Sequence, residues 1–273
     1  MKNKKLFYFI LAGLVFLAWV GWIVSKEVSN NKLEVVFFDV GQGDSIFIET
    51  PNNFQVLIDG GPSSAVLEKL GKEMPFYDRT IDLIVLTHPD YDHVSGLLEV
   101  LKSYKVKNIL WTGVVKNTAE YEEWVKLIEK EKANVMLAMA SQEIILQKEP
   151  LIYFKILYPF ESLENQKIED SNNTSIVAKL IFNDKSFLFM GDISCKIEKQ
   201  LVEVDADILK IGHHGSNNSS CQEFIERVSP ETAVISVGEN KWGHPSSEVL
   251  QRLKQFGIDV LITKELGDIK FSL

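Results

Sequence analysis

The chain opens on one long apolar block and then breaks into short runs. Leu6–Val24 is nineteen residues without a charge, with Lys2, Lys4 and Lys5 ahead of it. About 20 apolar residues at 1.5 Å each span a ~30 Å hydrocarbon core, so the pattern predicts a transmembrane helix. The lysines in front outweigh the Lys26, Glu27 and Lys32 flank behind. That bias sets the N-terminus in the cytoplasm and the bulk of the chain outside the cell membrane. A cleaved signal peptide is the alternative, but its apolar region usually runs about 7–15 residues, and a clean small-x-small site is missing here. Ser29–Lys32 is a polar linker, so residues 1–32 form an anchor unit and 33–273 one further domain.

From Leu33 onward the runs are short. Leu33–Val40, Ser45–Glu49 and Phe54–Asp59 predict strands of a meander, broken by Gly41-Gln42-Gly43 and Pro51-Asn52-Asn53. Ser63–Lys72, Val94–Tyr104 and Tyr121–Glu131 have helical spacing, and Ile81–Thr87, Val106–Trp111 and Val135–Met139 read as buried strands between them. The second half repeats the scheme. Strands are expected at Ile144–Gln147, Leu151–Tyr158, Ile176–Phe182, Phe187–Met190, Ile208–Ile211, Ala233–Val237 and Val260–Ile262, with helices at Ser194–Val202, Cys221–Val228 and Ser246–Gln255. Two halves of this kind suggest two sheets packed face to face with helices outside, an α/β fold.

Charge narrows the partners. Residues 1–32 hold five lysines and one glutamate, leaving 24 basic against 37 acidic side chains in the rest. A broadly basic DNA-coating surface is therefore excluded, and a polyanionic substrate would need metal ions and local lysines. Cys195 and Cys221 make no disulfide framework. They read as ordinary thiols, or as a single disulfide if the domain is exported, a choice that rests on geometry.

All five histidines sit in motifs: His88 and His93 in THPDYDH, His213 and His214 in GHHGS, His244 in WGHPSS. Imidazole and carboxylate at such short spacing suit a divalent metal, since both donate lone pairs to one ion. A loop at the end of strand Ile81–Thr87 can converge His88, Asp90, Asp92 and His93 on one point, where a regular element would scatter them. Two pairs fit two ions: His88 with Asp90, and Asp92 with His93. The plain alternative, a polar turn with Asp92 as helix N-cap, explains one aspartate and neither histidine.

THPDYDH resembles the H-x-H-x-D-H motif of the metallo-β-lactamase superfamily, with Asp90 in place of the second histidine. FFDVGQGDS, LIDGGP, NNTSIVAKL, FLFMGD, LKIGHHGS and GHPSSEVL follow in an order similar to the hydrolase domain of ComEC-type DNA-uptake proteins, over about residues 33–273. The resemblance implies a metallo-β-lactamase-like αββα sandwich, here preceded by one N-terminal transmembrane helix, with a two-metal site between the sheet edges. It implies Asp192 as the carboxylate bridging both ions, His214 as the last ligand, and His213 facing phosphate. The family's third-motif histidine is replaced by Asn172 or Asn173, with Asn173 the closer match. The second ion would then meet His88, Asp90, Asp192 and an amide oxygen. Such an oxygen-rich set moves the choice from Zn²⁺ toward Mn²⁺, although affinity alone favours zinc.

Around these ligands, His244 resembles a family position near the substrate, where it would protonate the leaving oxygen or bind phosphate; an ordinary loop histidine beside Pro245 is the alternative. Asp39 and Asp44 flank Gly41-Gln42-Gly43, either supporting the ligands or shaping a bulged turn. Asp59 is expected to hydrogen-bond the metal loop from behind. ComEC-type proteins also attach this domain to a many-helix channel, which one hydrophobic span cannot form.

Two divalent ions (Zn²⁺ or Mn²⁺) would bring water near neutral pKa and offset charge on a phosphoryl group, with Asp92, His213 and His244 as catalytic groups. No P-loop, Rossmann glycine pattern or nucleophile elbow competes. The leading expectation is a membrane-anchored extracytoplasmic phosphodiesterase or nuclease acting on a phosphodiester, single-stranded DNA among them. The alternatives are a cell-surface phosphodiesterase on a small or teichoic-acid-like substrate, and a non-catalytic partner of a DNA-uptake channel protein.

Overall fold

The computed structural model describes residues 2–29 and 32–273, with side chains in the first helix at 4–5 and 8–21. Helix α1 (Lys2–Ser29) contains the apolar block, and its side chains from Tyr8 to Trp19 are exposed. Part of the expected span Leu6–Val24, the side chains at 6–7 and 22–24, lies outside the described residues. Among the described residues no helix is long and apolar enough to cross a membrane.

The first half of the domain runs β1 (Glu34–Phe37), β2 (Ile46–Glu49), β3 (Gln55–Ile58), α2 (Ala65–Glu73), β4 (Thr80–Val85), α3 (Tyr91–Ser103), β5 (Lys105–Trp111), α4 (Ala119–Glu131) and β6 (Asn134–Leu137). The second runs β7 (Glu143–Gln147), β8 (Ile152–Tyr158), β9 (Val177–Phe182), β10 (Lys185–Phe189), α5 (Cys195–Glu198), β11 (Ile208–Lys210), α6 (Gln222–Val228), β12 (Thr232–Ile235), α7 (Ser247–Gln255), β13 (Asp259–Ile262), α8 (Thr263–Leu266) and β14 (Ile269–Ser272). A single 3₁₀ turn stands at Asn172–Thr174, and a left-handed turn at Gly212–Gly215.

Two seven-stranded sheets result, ordered β14-β1-β2-β3-β4-β5-β6 and β13-β12-β11-β10-β9-β8-β7. Alternate residues separate three apolar layers, as the two-residue period of a strand requires. Val35, Phe37, Ile46, Ile48, Phe154, Phe187 and Phe189 fill the space between the sheets. The opposite faces, at Val36, Phe47 and Leu57 in one sheet and Leu188 and Leu209 in the other, pack under helices. This is the expected αββα sandwich.

Three local differences have physical causes. Helix α3 starts at Tyr91 rather than Val94, so Asp92 and His93 sit in its first turn and not in a loop. Asp90 takes the N-cap position, extended at φ −80° and without a side-chain cap bond. The helix expected over Ser194–Val202 is only α5, where Arg227 takes the carbonyls of Glu198 and Leu201 at 2.6 and 2.8 Å. Strand β14, too short to stand out in the sequence, returns the C-terminus to pair antiparallel with β1.

Candidate metal centre

The ends of β4, β10 and β11 open at one edge of the sandwich and deliver His88, Asp192 and the two histidines of GHHG there. The turn carrying the last pair is strained. His213 and His214 hold φ of 49° and 52°, followed by Gly215 at 81°, in a region costing a non-glycine residue of order 1–3 kcal/mol. The kink splays the two rings. His214 is buried, with Nε2 3.3 Å from both Asp92 Oδ2 and Asp192 Oδ2. His213 turns outward, its Nε2 4.0 Å from Asp192 Oδ2 and 3.4 Å from the Asn172 amide nitrogen.

Helix α3 is clamped so that its first turn faces this edge. Gly60 donates to the His93 carbonyl at 2.8 Å, Gly96 to Gly61 at 2.9 Å, and Asp44 to the Asp92 carbonyl at 3.3 Å. A Cβ on Gly96 would lie 1.8 Å from the Gly60 oxygen, and one on Gly43 2.3 Å from the Asp92 oxygen. Only hydrogen fits at these crossings. Held this way, His93 Nε2 lies 3.3 Å from Asp192 Oδ2 and 4.0 Å from Asp92 Oδ1. Donor atoms of His88, His93 and Asp192 lie within 4.8 Å of one another, as do those of Asp92, His93 and His214.

The Nδ1 atoms fix which nitrogen of each ring is free. His93 Nδ1 donates to Asp59 Oδ2 at 2.8 Å and His214 Nδ1 to the Ser236 carbonyl at 2.9 Å. His88 Nδ1 faces Thr87 Oγ1 at 3.0 Å and Ser175 Oγ at 3.1 Å. Those hydroxyls send their own protons to Asp59 and to the Asn172 carbonyl, so they accept from His88. Each ring is thereby oriented with Nε2 toward the common point, the arrangement outer partners impose on metal-ligating histidines. The three Nε2 atoms and Asp192 Oδ1 are buried and without a hydrogen-bond partner. Buried polar atoms are normally satisfied, and a divalent cation at this point would satisfy these. The donor set fits the metal.

The carboxylates make this point favourable for positive charge. Burial works against charge on His93 and His214, but Asp192 with Asp59 or Asp44 outweighs it and raises both imidazoles well above their usual range. Burial and the neighbouring His93 push His88 down to about 4. Burial would raise Asp192, yet His214 and His93 hold it well below the usual carboxylate value. Asp92 is likewise lowered against its burial by His214 and His93. The carboxylates remain anions, as ligands must.

Asp59, behind the centre, accepts from Thr87 N, Thr87 Oγ1 and His93 Nδ1. Buried Asp44 pairs with Lys210 and approaches His214 Nδ1 at 3.4 Å. Asp39 stays outside: its carboxylate accepts from Gly41 N at 3.3 Å and its own amide donates to Asp268, which makes it a turn residue. Asp90 stands 4.0 Å from His88 Nε2, but Lys116 and Ser171 occupy its Oδ1. The structure does not bring Asn173 in. Its Oδ1 accepts from Ser194 N and Oγ at 2.9 and 2.7 Å and its amide donates to Asp170, so Asn172 is the amide that faces the cleft. His244 lines the same cleft, its ring 5.6 Å from that of His213 and stacked on Trp242 at 6.5 Å.

Lys210, Lys116 and Ser175 also reach the centre, although no ligand motif marks them in the sequence. A lysine inside the apolar run Ile208–Ile211 was the available signal for Lys210. Its Nζ, fully buried, donates to the Gly191 carbonyl at 3.2 Å and lies 3.8 Å from Asp192 Oδ1. Lys116 and Ser175 had no such signal.

The metallo-beta-lactamase superfamily profile matches residues 38–239. ComE operon protein 3 of Bacillus subtilis (strain 168) is 33% identical over 264 residues, covering 89% of this chain and 33% of that protein. Competence protein ComA of Neisseria gonorrhoeae is 30% identical over 255 residues, covering 91% and 33%. The chain spans about a third of the length of these curated relatives. The metallo-beta-lactamase fold protein YhfI from Bacillus subtilis superposes with a TM-score of 0.59 at 13% identity, over 87% of this chain and 99% of that one. With a match of this length, the chain belongs to the metallo-beta-lactamase superfamily of metal-dependent hydrolases, among relatives named for competence.

Proposed function

We propose that this chain is a membrane-anchored, divalent-metal-dependent phosphodiesterase that cleaves DNA or a related phosphodiester. The observation that carries the reading is the convergence of three unpartnered imidazole nitrogens and two carboxylates beside an open cleft of about 620 Å³, which Asp92, Asp192 and His214 line. Asp92, His93, His214 and Asp192 would hold one ion, and His88 with Asp192 would offer a second position. Bound there, divalent ions supply Lewis acidity that brings water near neutral pKa and offsets phosphoryl charge. Asp92, with its side chain 29% exposed, faces both the ligands and the cleft and is placed to orient the attacking water. His213 and His244 stand on the wall, where an N–H from each can hold a phosphoryl or leaving oxygen. The competence names of the relatives support DNA as the polymer. The charge-free block Leu6–Val24 supports the membrane anchor.

The test uses the full chain in detergent, loaded with Mn²⁺ or Zn²⁺, against single-stranded DNA and a small aryl phosphodiester. Metal-dependent cleavage of both is expected, lost with a chelator and reduced about 10²-fold or more in Asp92→Ala. No cleavage of either substrate, or equal rates in Asp92→Ala, would sink the proposal. Cleavage of the small ester alone would move the substrate to a small cell-surface phosphodiester.

A further inference from the structure

A second cluster of reactive side chains lies on the two segments that carry Asp192 and His214. Cys195 follows Asp192 by three residues, at the start of α5, and Cys221 closes the loop that follows the GHHG turn. Both cysteines are free and half-buried, and their sulfurs and a Glu198 oxygen lie within 4.8 Å of one another. The backbone around them is already fastened. Cys195 N donates to the Asn218 carbonyl at 2.8 Å, and Arg252 holds the carbonyls of Ser219 and Ser220 at 3.3 and 2.8 Å. Glu198 is not available as a third metal ligand. Its two oxygens accept from Ser220 N at 2.5 Å and Cys221 N at 3.0 Å, capping the start of α6. What remains within that 4.8 Å is a pair of thiols on two pinned loops.

We infer that Cys195 and Cys221 form an intramolecular disulfide when the domain meets a disulfide oxidant, cross-linking the Asp192 segment to the His214 segment. The two thiols give up two electrons and two protons to the oxidant's disulfide. One new S–S bond forms, the oxidant's S–S bond breaks, and two small thiols leave. Side-chain rotation can close the remaining gap to the ~2.05 Å of a disulfide, since the segments are already joined by the Cys195–Asn218 bond. A bridge across the intervening residues removes freedom from the unfolded chain. The inference stands on this geometry and does not depend on the substrate proposed above.

The experiment takes the full chain, purified reduced, and exposes it to oxidised glutathione. Free thiols should fall from two to none per chain, with a cross-linked Cys195–Cys221 peptide in the mass spectrum and no dimer on a non-reducing gel. The melting temperature should rise by roughly 10 °C, since a loop of this length falls in the range where bridges act strongly, and dithiothreitol should reverse the rise. Cys195→Ser with Cys221→Ser should melt as the reduced chain does and ignore the oxidant. Two titratable thiols persisting in the oxidant, two glutathione adducts, or an intermolecular dimer would each overturn the inference.

Discussion

At the scale of single residues, the acidic floor of the centre depends on Lys210. Asp44, Asp59, Asp192 and Asp92 crowd one edge of the sandwich, and the Lys210 ammonium is a buried cation among them. Removing one partner of a buried pair leaves an uncompensated charge and typically costs about 3–5 kcal/mol. Lys210→Met should lose roughly that much in urea unfolding, and adding Asp44→Asn should restore part of it. The pH window follows from both shifts. Burial would raise Asp44, but Lys210 and His214 lower it, so its contribution is present above the usual carboxylate value and fades as pH falls through the depressed one. Burial would lower Lys210, but Asp44 raises it, so its contribution is complete below the usual lysine value and fades as pH rises past the raised one. The pair should therefore stabilise across the neutral range and weaken at both ends, which a stability profile of wild type against Lys210→Met would show. The ligands have a second pH signature. His93 and His214 hold protons to higher pH than free imidazole in the absence of a cation, so loading must displace them. Affinity should fall as the solution is acidified, and calorimetry in buffers of different ionisation enthalpy should register proton release. Buffer-independent heats would contradict this.

At the scale of elements, one crossing sets the register of the ligands. Helix α3 approaches the turn after β3 so closely that Gly96 and Gly60 meet backbone to backbone. Gly96→Ala should destabilise by about 1–3 kcal/mol through overpacking and should also lower metal retention, because the first turn carries Asp92 and His93. Gly71→Ala in α2, whose added Cβ meets nothing within 4 Å, should be neutral or stabilising by up to about 1 kcal/mol. Equal effects of the two substitutions would show that the crossing has no special role. This crossing also marks where the sequence was legible and where it was not. The strand and helix periods of 81–104 were plain, and THPDYDH announced its chemistry. The start of α3 was not, because Asp90, Tyr91 and Asp92 interrupt the apolar spacing while tertiary bonds to Gly60, Gly61 and Asp44 hold the turn helical. The Asn172–Asn173 choice went the same way. The resemblance favoured Asn173, but the 3₁₀ turn gives Asn173 to Ser194 and Asp170 and leaves Asn172 facing the cleft. Local periodicity reports elements; it does not report which of two adjacent side chains a turn points inward.

For the whole molecule, the two sheets divide the work. The first sheet brings the α3 turn and Asp59, the second brings Asp192 and His214, and the centre exists only where their edges meet. The N-terminal helix adds a separate expectation. With its described apolar side chains exposed from Tyr8 to Trp19, the full chain should sediment with membranes, and a chain of residues 33–273 should stay in the supernatant. The claim on which the rest depends is that His88, His93, His214, Asp92 and Asp192 hold a divalent cation. Elemental analysis of the purified chain, after loading with Zn²⁺ or Mn²⁺ and exhaustive dialysis, tests it most directly, with Asp192→Asn alongside. The wild type should retain at least one ion per chain, and the variant about a tenth of that or less. A wild type that retains no metal, or a variant that retains as much, would contradict it.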